Sequence, residues 1–346
     1  MNGQKINFGI IGCGHIGFRH AEHIYNNQES QLEAVCDIKL DKAKKIADKY
    51  QCPIVVEDYR KLLKNENIDV VNICVPNGLH AQISIDFLKS GKNVLCEKPM
   101  CLTVAEGEKM IQTAILMKKH LWVVKQNRYN PPVEAAKTAI EKNLLGQIYM
   151  CNANIYWNRT DEYYAQSDWR GTKKLDGGTL FTQFSHFIDL LLWLNGPIES
   201  VLAKVYNYTH RHIEFEDTGI VLVKFKNGSM GTVNFTTCSY ERNMEGSIYL
   251  LGTKGSIKIG GEYLNILDYW RVKGIERPVL KEGAPANDYG FYQGSMSNHN
   301  KVIQNVIDVL SGRDKIKATG EEGLATTKVI NAIYKSALQN KEIYLS

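Results

Sequence analysis

The sequence predicts an α/β protein of two parts: a doubly wound parallel sheet, then an α+β domain with a mainly antiparallel, open-faced sheet. Three observations carry this expectation. A compact apolar run, Ile6–Ile11, leads into G-C-G-H-I-G at Gly12–Gly17 and then into helical spacing over Phe18–Asn26. Short apolar runs alternate with helical patterns as far as Lys125, the pattern of a parallel sheet with right-handed crossovers. Beyond Asn130 helices and strands segregate, and six strand-like runs follow one another. The expected domains are 1–125 and 126–346.

In the first part, strand, glycine turn and helix come in that order. Glycines let such a turn close, let the backbone approach a pyrophosphate and let helix pack on strand, while the helix N-terminus faces the phosphates. The next strand-like run, Leu32–Cys36, ends at Asp37, about twenty residues past the last glycine, where a ribose-binding acid belongs. A tight turn with a surface aspartate is the bland alternative; the full series favours a Rossmann dinucleotide site. A carboxylate accepts from both ribose hydroxyls and repels a 2′-phosphate, so NAD is favoured over NADP. Lys39 follows closely and softens that preference.

The alternation continues with a helix over Asp41–Tyr50, a strand over Ile54–Val56, and Asp58 capping a helix Tyr59–Lys64. The strand Val70–Val75 runs into Pro76-Asn77 and a helix from Leu79 to Leu88 with His80 near its start. The strand Asn93–Cys96 stops at Glu97-Lys98-Pro99, since proline cannot continue it. Alone, Glu97-Lys98 reads as a surface ion pair. A helix capped by Thr103 follows, then Leu121–Val124 ending in Lys125-Gln126-Asn127-Arg128. The polar signals all fall at the carboxyl ends of strands, where open α/β sheets bind ligands.

In the second part, Pro131-Pro132 opens a helix reaching Asn143, and a long strand covers Ile148–Trp157. Asn158–Gly178 is polar and aromatic, with Arg159, Tyr163, Tyr164, Trp169, Arg170, Lys173 and Asp176; ordered loops of this length are usually functional. A single helix is expected over Thr179–Leu194. Thr182, Gln183, His186 and Asp189 fall within roughly 60° of His186 on it at 100° per residue, a polar stripe without Lys or Glu. It lines a site, or His186 is a hydrogen-bonded core histidine. Strands follow at Ser200–Tyr208, Thr218–Phe225, Ser229–Thr237, Ser247–Leu251, Ser256–Ile259 and Leu264–Leu267, with Asn227-Gly228 as a hairpin turn. Tyr206, Tyr208, Phe235 and Tyr249 make a bare sheet face unfavourable, so a homodimer or homotetramer through this sheet is expected. Helices at Ser297–Leu310 and Glu321–Gln339 close the chain.

The 346 residues suffice for two cores, and 44% hydrophobic with 23% charged residues is an ordinary globular balance. A net charge of +5, not clustered, does not argue for nucleic acid and suits an anionic small molecule. Eight cysteines show no C-x-x-C pair, so reduced thiols, no metal site and a cytoplasmic location are expected. No apolar run approaches the ~20 residues of a membrane span, and the N-terminus enters a strand at once, leaving no room for a signal peptide.

G-C-G-H-I-G with His20, Asp37, Pro76-Asn77 with His80, Glu97-Lys98-Pro99, and D-G-G-T-L-F-T-Q-F-S-H-F-I-D from Asp176 to Asp189 together resemble the glucose–fructose oxidoreductase/inositol dehydrogenase (Gfo/Idh/MocA) family. The resemblance covers essentially the whole chain. It implies NAD(P)-dependent sugar oxidation, with Lys98 meeting nicotinamide and substrate, His186 as general base, and a Lys98–Pro99 bond that is often cis. It implies cofactor contacts at Gly12, Gly14, His15, Ile16, Gly17, Asp37, Val75, Pro76, Asn77, His80, Glu97, Lys98 and Gln126. Many inositol-dehydrogenase-like members carry an aspartate four residues before the histidine; here that position is Thr182. V-K-Q-N-R-Y-N-P-P (Val124–Pro132), Y-Y-A-Q-S-D-W-R-G-T (Tyr163–Thr172) and T-Q-F-S-H look like the bacterial enzymes that oxidise the 3-hydroxyl of UDP-N-acetylglucosamine or its uronate. In those, Trp169-Arg170 would lie against the cofactor.

Alcohol oxidation needs a base of near-neutral pKa, which suits His186, while Lys98 would stabilise alkoxide charge and Glu97 would hold Lys98. Arg128 and Arg159 are candidates for a diphosphate or carboxylate, and the loop tyrosines for a uracil or sugar face. The expected substrate set is therefore Lys98, Asn127, Arg128, Arg159, Tyr163, Thr182, Gln183 and His186. An NAD-dependent glycosidase, a free-sugar or inositol dehydrogenase, and a nucleotide-sensing regulator are the alternatives.

Overall fold

The computed structural model describes residues 5–288, 290 and 292–345. Two compact units are present: residues 5–125 with His299–Leu324, and Gln126–Asn298 with residues 325–345.

The first unit is built on six strands, β1 (Ile6–Ile11), β2 (Ser30–Cys36), β3 (Ile54–Val56), β4 (Val70–Ile73), β5 (Asn93–Cys96) and β6 (Leu121–Val123), in the order β3-β2-β1-β4-β5-β6. Every pairing is parallel. The central strands are buried on both faces, so they read as continuous apolar runs. The crossovers are α1 (His15–Tyr25), α2 (Leu40–Tyr50), α3 (His80–Lys89) and α4 (Val104–Leu116). Thr103 caps α4 in a capping box with Glu106. Asp58 also caps, but what it starts is one 3-10 turn, Tyr59–Leu62, and not a longer helix.

His299–Leu324 belongs to this unit, so the second unit is not the continuous stretch 126–346. Helix α9 (His299–Leu310) packs beside α1 and buries Val302, Ile303, Val306 and Ile307. Beyond it the Val123 N–H donates to the Ala318 carbonyl at 3.1 Å.

The second unit carries an eight-stranded sheet. Its members are β7 (Ile148–Tyr156), β8 (Ile198–Tyr206), β9 (Thr218–Phe225), β10 (Met230–Thr236), β11 (Glu245–Gly252), β12 (Gly255–Gly260), β13 (Ile266–Val272) and β16 (Ile343–Tyr344). The order is β13-β12-β11-β7-β10-β9-β8-β16, and only the β7–β10 pair is parallel among the described pairings. Gly228, at φ 87°, turns the β9–β10 hairpin, a conformation that glycine adopts without strain. A small hairpin, β14 (Ala286–Asp288) with β15 (Gln293–Met296), stands apart from this sheet.

On the inner sheet face α8 (Ser185–Asn195) packs against β7 and α5 (Pro131–Glu141) against β12, with α7 (Thr179–Thr182) beside α8, and Ser336 in the later part of α10 (Gly320–Gln339) accepts the Ala203 N–H of β8 at 3.0 Å. Trp157 sets its ring edge-on against Phe184 and Phe187. The expected single helix Thr179–Leu194 is two helices with a break at Gln183-Phe184. The outer face leaves Ile220, Leu222, Met230 and Tyr206 more than half exposed. Among the described residues, no helix is long and apolar enough to cross a membrane.

Candidate active site

In the first unit the glycine turn has its expected shape. Gly12 sits at φ 96°, and a Cβ there would strike the Cys74 carbonyl. A Cβ on Gly17 would strike the Gly12 carbonyl, so this glycine lets α1 close onto the turn. Gly14 faces open space. It also N-caps α1, which has no capping side chain and no acid in its first turn, and the positive end of such a helix suits an anion. The Asp37 carboxylate is oriented by two backbone N–H groups, from Cys13 and from Lys39, each at 2.8 Å. Each oxygen keeps lone-pair capacity for a ribose hydroxyl. These residues fit an NAD.

Val75, Pro76 and Asn77 form the turn after β4. His80 is buried, with Nε2 at 2.8 Å from the Val75 carbonyl and Nδ1 at 2.6 Å from the Pro99 carbonyl. Burial pushes its pKa down, and the two carbonyls only partly offset this. His80 therefore ties the Pro76 turn to the turn after β5, where the Lys98–Pro99 bond is cis.

Glu97 is buried and is not a surface ion-pair member. The Asn72 amide donates to His20 Nδ1 at 2.8 Å, which leaves His20 Nε2–H to donate to Glu97 Oε1, also at 2.8 Å. His299 Nε2 lies 3.6 Å from the same oxygen. The other carboxylate oxygen accepts the Lys98 backbone N–H at 3.1 Å. Burial alone would raise the Glu97 carboxyl, but the hydrogen bonds and charges of His20 and His299 outweigh it and hold it well below the usual carboxylate range. Glu97 thus holds Lys98 through the main chain. His20, Glu97 and His299 bring three ligand-type atoms within 4.8 Å of one another; the His20–Glu97 hydrogen bond already uses two of them, while both His299 ring nitrogens are buried without a hydrogen-bond partner. His299 has no sequence signal, because nothing local marks the strand end that its helix reaches.

In the second unit, Gln126, Asn127 and Arg128 lie in a buried 3-10 turn. The Gln126 amide donates to Ser295 Oγ at 3.0 Å and faces His186 Nε2 at 3.3 Å. That places an N–H against His186 Nε2, the arrangement of an imidazole nitrogen with its lone pair intact. Gln126, expected at the cofactor, also contacts His186. The Gln126 and Asn127 side-chain amide oxygens and the Ser185 hydroxyl are buried without a hydrogen-bond partner, as in sites that complete their bonding with ligand or water.

The two candidate anion-binding arginines differ. Arg128 is gripped bidentately by Asp189, at 2.9 and 2.7 Å, and lies over the Trp193 ring. A buried guanidinium needs a counter-ion, and Asp189 supplies it to Arg128. Arg159 is 2% exposed and has no carboxylate partner among the described residues. It donates to Gln183 Oε1 at 2.8 Å and to Asn243 Oδ1 at 3.3 Å, with the rings of Trp157, Tyr163 and Tyr292 around it. Burial pulls its pKa down, and neighbouring tyrosines partly restore it. Gln183 also donates to the Tyr163 hydroxyl at 2.6 Å. Tyr163 is itself buried edge-on against Tyr164 and Tyr292.

Thr182 donates its hydroxyl to Asp176 Oδ1, whose other oxygen accepts the Gly171 N–H at 2.8 Å. A carboxylate therefore reaches the Thr182 position from the preceding loop, which no spacing rule anticipates. Side-chain bonds from Thr182 and Gln183 accompany the break between α7 and α8. Arg170 stacks over Tyr163 and beside Trp169, and its buried Nε has no partner.

Comparison with known proteins agrees with both halves. Residues 6–125 match the model described as "Oxidoreductase family, NAD-binding Rossmann fold", and residues 137–345 match its "C-terminal alpha/beta domain". The chain is 34% identical to the WlbA dehydrogenase of Bordetella pertussis, solved with NADH and UDP-GlcNAcA, over 99% of each chain with a TM-score of 0.89. The WlbA dehydrogenase of Chromobacterium violaceum, solved with the same pair of ligands, is 34% identical over 100% of this chain and 97% of that one, with a TM-score of 0.90. Myo-inositol 2-dehydrogenase of Thermotoga maritima is 25% identical over 72% of this chain and 73% of its own length. The chain belongs to the GFO_IDH_MocA family of NAD-dependent oxidoreductases.

Proposed function

We propose that this oxidoreductase moves hydride between NAD and the 3-hydroxyl carbon of a UDP-N-acetylhexosamine or its uronate. The observation that carries this reading is Arg159: a buried guanidinium, ringed by aromatics and without a carboxylate partner among the described residues. Such a cation is costly unless a ligand supplies the anion, and a uronate carboxylate or a diphosphate does so in bidentate fashion. The likeness to two WlbA dehydrogenases solved with UDP-GlcNAcA supports the same class.

Bound NAD supplies the hydride acceptor. Asp37 holds its ribose, and the glycine turn with the amides of α1 holds its pyrophosphate, alongside the Val75–Asn77 turn. His186 takes the hydroxyl proton at Nε2, where the 3.3 Å contact with Gln126 is weak enough to yield. Lys98 stabilises the alkoxide, with its main chain fixed by Glu97. Gln183 and Tyr163 keep Arg159 in place, and Arg170 with Trp169 forms a second cationic and aromatic element. We also infer that a second copy of the chain covers the outer sheet face, because Ile220 and Leu222 stand bare in the middle of β9; light scattering at a mass of one chain refutes this.

The test is to incubate the protein with NAD and a panel of UDP-sugars, free glucosides and myo-inositol, following NADH absorbance. Turnover of UDP-N-acetylhexosamine or its uronate, lost in Lys98→Met and His186→Asn with NAD binding retained, is the expected result. Turnover of myo-inositol alone, or release of free sugar without net NADH, overturns the reading.

A further inference from the structure

The second unit holds another set of nucleophilic and titratable groups. His210 and Asp217 lie at the two ends of the loop between β8 and β9, and Cys238 follows β10; their donor atoms lie within 4.8 Å of one another. Asp217 is fully buried and accepts backbone N–H groups from Tyr208 at 3.0 Å, Thr209 at 2.8 Å and His210 at 3.2 Å. His210 Nε2 lies 2.6 Å from the Arg159 carbonyl, which accepts only from a protonated nitrogen. His210 Nδ1 lies 3.3 Å from Asp217 Oδ2 and 3.9 Å from Cys238 Sγ. Both ring nitrogens therefore face acceptors, the environment of an imidazolium. The groups around it are Asp217, Cys238, the Thr209 hydroxyl, the Tyr164 ring at 5.1 Å and His212 at 6.2 Å.

Cys238 differs from the other seven cysteines in being the one not fully buried. Its sulfur lies 3.1 Å from the Thr209 hydroxyl, which also reaches Asp217 Oδ2 at 3.2 Å, and 3.8 Å from the Thr218 hydroxyl. Burial alone would lower His210, but Asp217, Cys238 and the Arg159 carbonyl outweigh it and raise its pKa to about 10. Burial would likewise raise the Cys238 thiol, but His210 and the hydroxyls of Thr209 and Thr236 bring it below the ordinary value. Burial pushes Cys13, Cys36, Cys52, Cys74, Cys96 and Cys151 the other way. A metal ion suits this cluster poorly. Three main-chain N–H groups already occupy the Asp217 carboxylate, and a protonated His210 offers no lone pair.

We propose that Cys238 is a reactive thiolate, paired with the His210 imidazolium and Asp217, and a site of oxidation by small peroxides. The sulfur attacks one peroxide oxygen; the S–O bond forms as the O–O bond breaks. Sulfur loses two electrons, the peroxide gains them, and the departing hydroxide takes the Nδ1 proton of His210 and leaves as water. The products are a sulfenic acid at Cys238 and a neutral His210, so the ion pair behind the Arg159 carbonyl is discharged.

The test treats the full chain with one equivalent of hydrogen peroxide, traps with dimedone and maps adducts by peptide mass spectrometry. The adduct is expected at Cys238 ahead of the other seven cysteines. Alkylation by iodoacetamide at pH 6.5 should run about tenfold faster at Cys238 than in a free cysteine peptide, since a larger thiolate fraction outweighs lower nucleophilicity. His210→Gln should remove that advantage. The wild-type pH profile, which needs no variant, should have its midpoint below about 8.5. A midpoint at or above that value, labelling elsewhere first, or a folded His210→Gln reacting at the wild-type rate overturns the proposal. So does co-purified zinc that must be chelated before Cys238 reacts.

Discussion

Replacing Asp37 with alanine tests the cofactor half of the site most directly. The carboxylate is fixed by the Cys13 and Lys39 N–H groups at 2.8 Å each, so it is oriented before any ligand arrives and loses little entropy on binding. Two ribose hydroxyls then donate to an ionised acceptor, each bond contributing about 1.5 kcal/mol at the low end of charge-assisted values. Their loss, about 3 kcal/mol, corresponds to roughly a hundredfold rise in the NADH dissociation constant. NADPH should behave oppositely, because removing the carboxylate also removes its repulsion of the 2′-phosphate. The structural side effect is smaller. The Lys39 N–H is exposed and finds water, while the half-buried Cys13 N–H loses a partner, at about 1 kcal/mol of stability. NADH fluorescence titration with wild type and Asp37→Ala, both at a temperature where each is folded, separates the two effects. Equal weakening of NADH and NADPH, or an unchanged NADH affinity, would refute the assignment of Asp37 to the ribose.

Two further outcomes follow from the histidines of the first unit. His23 is held near pKa 4 instead of 6.5, first by burial and then by His299, His20 and Arg19. The unfolded chain thus binds more protons between those values, so stability is present above about pH 6.5 and is lost as pH falls toward 4. At pH 5 the loss is at most about 2 kcal/mol, and less after solvent screening of this partly exposed ring; urea unfolding at pH 7 and pH 5 should show a flatter dependence in His23→Gln. Glu97→Gln keeps an acceptor for His20 but turns an N–H toward the Lys98 amide, so kcat should fall about tenfold per 1.4 kcal/mol of lost positioning, with NADH affinity little changed by titration.

The doubly wound sheet, the glycine turn and the Asp37 position were legible because each is local: periodicity, φ freedom and chain direction act within a few dozen residues. The return of His299–Leu324 to the first unit was not, since an amphipathic helix shows which face is buried but not against what. The break between α7 and α8 was hidden for a related reason. Thr179–Asn195 has continuous helical spacing, while the bonds of Thr182 to Asp176 and of Gln183 to Arg159 and Tyr163 are tertiary. Asp176 likewise meets the Thr182 hydroxyl from a loop six residues upstream, a tertiary contact that no local spacing marks. The Cys238 cluster escaped for the same reason, because the β8–β9 loop and the residue after β10 meet only in the folded sheet.

Arg128 and Arg159 looked alike as residues in a chain, and the structure gives them different surroundings. Arg128 is neutralised by Asp189 and packed on Trp193; Arg159 is surrounded by neutral acceptors and rings. If anion binding belongs to Arg159, the Arg128–Asp189 pair is exchangeable and Arg159 is not. Removing one member of the buried pair should cost about 3–5 kcal/mol, because the other charge is stranded, whereas an apolar replacement of both should be nearly neutral. Arg128→Met/Asp189→Leu should therefore keep stability and leave KM for the nucleotide sugar within a few-fold. Arg159→Met removes a buried cation that lacks a counter-ion, so it should preserve or raise the melting temperature while KM rises at least tenfold, the loss of one charge-assisted bond. A rise in KM in the double variant with none in Arg159→Met would move the anion site back to Arg128.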